Sequence, residues 1–295
     1  MSFWKTTRYD IDLSAPKVMG IVNVTPDSFS DGGQHADTAA ALPHCEQLRK
    51  DGAPTPDIGG EAARPGSAAV PLDQELARVL PLVREAARLG VPISVDTYKP
   101  EVMAAVLDEG ADIVNDIWGL RRASQTGGPS ALDVVRRHPS CGVCLMHMHG
   151  DPQTMQLMPM AGDAVPQVLR FLELSAQELQ RQGVQKSRIV LDPGIGFGKT
   201  VAQNFALLAR QPELLAAGLP LLLGWSRKSS IGAVLQGADQ APPPPAGRVA
   251  GSVAAALMAV ERGPHIVRVH DVRETVQALQ VLAAVRAADE RPPND

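Results

Sequence analysis

Short apolar runs with no polar alternation recur along this chain, and helix-period segments separate them. A strand that is apolar on both faces is covered on both faces, the condition of parallel strands wrapped in helices. The runs are Val18–Val22, Ile93–Val95, Ile113–Val114, Val143–Met146, Ile189–Leu191, Leu219–Leu223 and Ile266–Val269. The helical segments lie at about Thr38–Lys50, Asp73–Leu89, Pro100–Glu109, Ser130–Arg137, Ala164–Gln182, Ala202–Arg210, Arg248–Arg262 and Val272–Ala287. Gly90, Gly110 and Gly183 follow three of them, where glycine takes up the left-handed turn that ends a helix.

An eighth strand is needed around Ala53–Ile58. It is a poor one, because Pro54 and Pro56 remove two ladder donors. Its place between a helix and the Gly59-Gly60 loop still assigns it. Eight strand-helix units predict an α/β fold, a single-domain (β/α)8 TIM barrel. An open dinucleotide-binding sheet would carry G-x-G-x-x-G straight after its first strand, and Gly20 with Gly32-Gly33 do not make one. The predicted plan is an N-terminal extension over 1–14, the barrel over 15–285 and a charged, flexible tail over 286–295. Ala241–Ala246, with its four prolines, reads as an extended connector.

Hydrophobic content of 44% with only 3% aromatics predicts an aliphatic core, and a formal net charge of -4 argues against nucleic-acid or acidic-membrane partners. Three cysteines make no disulfide framework. The Cys141-Gly-Val-Cys144 pair lies in an apolar run and reads as buried strand residues rather than a metal knuckle. No signal-peptide core or spanning-length apolar run occurs, so the expectation is a soluble, cytoplasmic protein.

In such a barrel the site is built where the strands end. Those ends carry Asn23, Asp57, Asp96, Asn115, His147, Asp192, Ser226-Arg227-Lys228, Arg268 and His270. Each Asp or Asn taken alone could merely cap the next helix. Together they divide chemically. Asp96, Asn115 and Asp192 suit the donor-rich edge of a flat nitrogen heterocycle, and Arg227, Lys228, Arg268 and His270 suit phosphate. Gly198-Lys199-Thr200 matches the end of a P-loop, but Pro193 stands where its first glycine belongs, so nucleotide-triphosphate binding is excluded. His147-Met-His149 has the spacing of a metal pair, yet no further ligands are evident; a packing or hydrogen-bonding role is the simpler reading.

The segments Met19–Gly33, Asp57–Glu61 with Arg64–Gly66, Ile93–Thr97, Asn115–Ile117, Cys144–Met148, Leu191–Lys199, Ser226–Ser229 and Ile266–Asp271 resemble, in order, the bacterial dihydropteroate synthases. That resemblance implies condensation of 6-hydroxymethyl-7,8-dihydropterin diphosphate with 4-aminobenzoate, giving 7,8-dihydropteroate and diphosphate. It implies that Asp96, Asn115, Asp192 and Lys228 hold the pterin, with Met146 and Arg268 on its faces. Asn23 corresponds to a Mg²⁺-linked asparagine, and Arg268 with His270 to the diphosphate site. Pro65, Phe197 and Ser229 correspond to the aminobenzoate pocket, where sulfonamides bind; Ala63 and Arg64 lie in the same substrate-binding loop. Asp96, Asp192, Lys228 and Arg268 are the expected catalytic set, Mg²⁺ the expected cofactor, and a homodimer the expected assembly.

The chain departs from that pattern at Ala62-Ala63, where the family has Ser-Thr. The lost hydroxyl at Ala63 predicts weaker binding of the diphosphate substrate, by about 1.5–3 kcal/mol, and an altered sulfonamide response. The rival readings are a pterin-binding methyltransferase domain, an inactive pterin-binding paralogue and, more distantly, a metal-dependent hydrolase built on His147 and His149. The basic half of the site argues against the first; Ala62-Ala63 is the feature that favours the second.

Overall fold

The structure is a computed structural model that describes residues 3–24, 34–61, 69–238, 240–263 and 265–289, with the backbone alone for 34–39. The chain opens with a hairpin, β1 (Phe3–Lys5) and β2 (Asp10–Asp12), then enters β3 (Lys17–Asn23). Helix and strand alternate from there: α1 (Gln34–Lys50), β4 (Thr55–Gly59), α2 (Leu72–Ala86), β5 (Ser94–Asp96), α3 (Pro100–Asp108), β6 (Ile113–Asp116) and α4 (Ala131–Arg137). The second half runs β7 (Gly142–Met146), α5 (Ala164–Arg181), β8 (Ile189–Asp192), α6 (Val201–Ala209), α7 (Gln211–Leu214) and β9 (Leu222–Leu223). It closes with α8 (Ser229–Leu235), α9 (Val249–Glu261), β10 (Ile266–Val269) and α10 (Val272–Asp289).

Eight strands pair in parallel in the order β8-β7-β6-β5-β4-β3-β10-β9, and a bridge from Leu191 to Leu221 joins the two ends. The sheet is the expected barrel. The ladder from β4 to β5 begins only at Asp57, past both prolines, so their missing donors fall at the start of the strand, where proline is tolerated. β9 is shorter than its apolar run, because Pro220 has no N–H to give a ladder; its carbonyl still accepts from Leu191 at 2.9 Å.

Alternation along each strand separates two cores. Val18, Val22, Ile58, Val95, Val114, Val143, Leu145, Ile189 and Val267 pack outward against the helices. Met19, Ile113, Cys144, Val190, Leu222 and Ile266 join inside the barrel with Trp4 and Leu13 from the first fourteen residues. The hairpin is therefore part of the packed molecule: Trp4 is 1% exposed, and its indole donates to the Arg188 carbonyl at 2.8 Å. All three cysteines are free and buried, Cys141 and Cys144 as strand-associated residues. Among the described residues no helix is long and apolar enough to cross a membrane.

Candidate active site

One pleat repeat above that inner apolar layer, the same strands turn polar. Two residues on from Ile113, Cys144, Val190 and Ile266 come Asn115, Met146, Asp192 and Arg268, all on the inward face. The strand-end residues are thus brought to one mouth by the pleat itself.

Asp57 is the hub of the acidic half. It is 1% exposed; its Oδ1 accepts from the Ser94 hydroxyl at 2.6 Å, and its Oδ2 accepts from Asn115 Nδ2 at 3.1 Å. Arg268 spans the mouth, donating from Nε to Asp57 Oδ2 at 2.6 Å and from Nη2 to Asp96 Oδ2 at 2.7 Å. Burial raises the Asp96 carboxyl to about 7 against the pull of Arg268, with Asp57, Glu75 and Asp116 adding to the rise. One guanidinium shared between two carboxylates leaves room for a ligand that brings N–H donors of its own.

Asp192 sits opposite, accepting from the Gly194 N–H at 2.7 Å; burial raises its carboxyl and Lys228 opposes that rise. The Lys228 ammonium donates to the Ile195 carbonyl and stands 4.7 Å from the Phe197 ring centroid. Burial lowers its pKa to about 8, with Asp192 and Asp96 resisting. Asp96, Asn115, Asp192, Lys228 and Arg268 are therefore one electrostatic unit, with Met146 buried beside them and Phe197 against the same apolar patch.

The basic residues are themselves partnered. Arg227, in the left-handed region at φ 59, is tied to Asp271 by bonds of 2.5 and 3.0 Å. The His270 ring shares a 2.9 Å hydrogen bond between Nδ1 and the Ser226 hydroxyl, which also accepts from the His270 backbone N–H. Ser229 is exposed at the start of α8. Asn23 ends β3 beside Gly59, and its amide makes no hydrogen bond among the described residues. Ala63, Arg64 and Pro65 lie outside the described residues, as does the 25–33 part of the first loop.

His147 is not arranged as half of a metal pair. It is 6% exposed and packs edge-on against Phe171 at 4.9 Å, and burial lowers its pKa to about 3. Two groups escaped the sequence reading. Lys99 is buried between Glu61, at 2.5 Å, and Glu75, whose other oxygens accept from Tyr98 and Thr97 at 2.9 and 2.7 Å. Nothing in the sequence pairs residues so far apart. Lys199 is buried under the glycine-rich loop, and its burial lowers its pKa to about 7; only its place in a failed P-loop pattern marked it.

A closed parallel barrel with a polar mouth, an acidic clamp and a shared guanidinium defines a ligand-binding barrel enzyme. Comparison with known proteins gives the particular kind. The pterin binding enzyme model matches residues 19–270. The dihydropteroate synthases of Neisseria meningitidis serogroup B and Escherichia coli K12 are 47% and 45% identical to this chain; the alignments cover 96% and 95% of it, and 97% and 95% of those relatives. The Burkholderia cenocepacia dihydropteroate synthase, solved with 7,8-dihydropteroate, superposes with a TM-score of 0.86 at 48% identity over 99% of both chains. The Xanthomonas albilineans enzyme, solved with 4-aminobenzoic acid, does so at 0.85 and 47%, covering 94% of this chain and 96% of that one. The chain belongs to the pterin binding enzymes, among the dihydropteroate synthases.

Proposed function

We infer that this protein condenses 6-hydroxymethyl-7,8-dihydropterin diphosphate with 4-aminobenzoate to 7,8-dihydropteroate and diphosphate. The observation that carries the reading is Arg268 bridging Asp57 and Asp96 in the same mouth as the Asp192 and Lys228 pair. Asp96, Asp192 and the Asn115 amide receive the ring's N–H donors, Lys228 donates to its acceptors, and Met146 packs on the ring. Arg268 and His270 face the diphosphate. As the C–O bond to diphosphate breaks, the electron pair leaves with the phosphate, and cationic donors stabilise that developing charge. The carboxylates stabilise the electron-poor pterin methylene left behind. The lone pair of the aromatic amine then forms the C–N bond, and the amine nitrogen gives up a proton. No protein nucleophile takes part.

Mg²⁺ fits this site through Asn23, since Mg²⁺ keeps most of its waters and is bound by one or two protein oxygens plus substrate phosphates. When bound, it supplies charge neutralisation at the diphosphate. In this reading Pro65, Phe197 and Ser229 serve the aminobenzoate, and Ala63 and Arg64 are further substrate-binding residues. The assembly is a homodimer in the cytoplasm. The test is formation of dihydropteroate from the two substrates by the purified protein, with inhibition by a sulfonamide. The methyltransferase reading lacks support beside relatives this similar, and absence of product and of diphosphate release would revive the inactive paralogue.

A further inference from the structure

In the Gly198-Lys199-Thr200 run, Thr200 caps α6, while Lys199 has no part in the pterin grip. Lys199 is 2% exposed, its ammonium turned inward to backbone carbonyls. Its ammonium donates to the Gly194 carbonyl at 2.8 Å and the Phe197 carbonyl at 3.0 Å, with the His147 carbonyl 3.5 Å away. Among the described residues it has no carboxylate at ion-pair distance. A buried ammonium held by carbonyls alone carries a desolvation cost that packing does not require.

The loop above it is pressed onto the end of β7. Gly194, Gly196 and Gly198 are all left-handed, and a Cβ at Gly194 or Gly198 would overlap the carbonyl of His147 or His149. The Phe197 N–H donates to the Gly194 carbonyl at 3.1 Å, so one amide pair closes around the ammonium. On the loop's other face, Lys228 reaches the Ile195 carbonyl and lies over the Phe197 ring. One ammonium fastens the loop from within and a second reads its outer surface.

We propose that Lys199 is a positioning residue: its ammonium holds the Gly194 and Phe197 carbonyls against β7 and so fixes the Phe197 ring where the amine substrate docks. The inference rests on the synthase reading. The neighbouring Thr200 supplies a control, because its hydroxyl only caps α6, accepting from the Gln203 N–H at 3.2 Å.

The experiment compares wild type, Lys199→Met and Thr200→Ala in steady-state kinetics with each substrate varied in turn. Lys199→Met is expected to raise KM for 4-aminobenzoate about ten-fold or more and that for the pterin diphosphate less than about three-fold. Thr200→Ala is expected to move neither. Equal rises in both KM values, or no rise in a folded Lys199→Met protein, overturn the proposal. If Lys199→Met does not fold, Lys199→Arg keeps a cation but displaces the carbonyls; the same unequal shift supports the proposal and equal shifts overturn it. A wild type that makes no dihydropteroate defeats the synthase reading instead, and calorimetric binding of 4-aminobenzoate and of a pterin to the same variants still reads the split.

Discussion

The two ends of the barrel are made from the same strands and differ in kind. At the N-terminal end, Trp4, Leu13, Met19, Ile113, Cys144, Val190, Leu222 and Ile266 form a closed apolar layer. Further along the same strands, Asp57, Asn115 and Asp192 are almost as deeply placed; Asn115 and Arg268 both donate to Asp57, and Asp192 accepts from the Gly194 N–H. Burial is therefore not what separates a stabilising end from a reactive one. At the lower end it removes apolar surface from water, which is favourable. At the upper end it raises Asp96 and Asp192 and lowers Lys228, storing an unfavourable electrostatic state that a substrate with matching donors and acceptors relieves.

That contrast can be broken from either side. Trp4→Ala empties the plug, with an expected loss of about 3–5 kcal/mol of stability, while kcat/KM measured well below the melting transition stays as in wild type. Changed kinetics in the folded variant would show that the ends communicate. Asp192→Asn is the converse: kcat/KM should fall by roughly 10²–10³, about 2.7–4 kcal/mol, with circular dichroism reporting an intact fold. A variant that keeps near-normal turnover would remove Asp192 from the pterin grip.

Restoring hydroxyls by Ala62→Ser with Ala63→Thr should improve kcat/KM for the diphosphate substrate by about 1.5–3 kcal/mol. Unchanged KM and kcat would reject the expected deficit. The smallest effect is in pH. Productive binding needs Asp96 ionised and Lys228 protonated, so kcat/KM should rise through about 7 as Asp96 loses its proton and fall above about 8 as Lys228 loses its own. One unit beyond the alkaline limb is about a tenfold loss, ~1.4 kcal/mol. Lys228→Arg would move that limb out of range; a limb that stays near 8 in that variant belongs to another group.

The two ends were also unequally legible. Asn23, Asp57, Asp96, Asn115, Asp192, Lys228, Arg268 and His270 are legible from the sequence as strand-end residues, because a polar residue at the end of an apolar run is a local event. The hairpin was not: Trp4 is one buried aromatic in a polar stretch, and its partners are contributed by six barrel strands and by Leu13. The partner of Arg227 was hidden for a similar reason. Its sequence neighbours Lys228 and Ser226 belong to the mouth, but Asp271, forty-four residues on, claims its guanidinium.

What the sequence by itself determined is the repeat of strand and helix and the chemical types available at the strand ends, since both depend on residues a few positions apart. Only the tertiary structure decided which charges meet. Arg268 reaches Asp57 across 211 positions of sequence, and Lys199 turns inward to three backbone carbonyls instead of outward to phosphate. Closure of the barrel sets those distances, and it is the distances, together with the loss of water, that decide whether a charge is a partner, a clamp or a support.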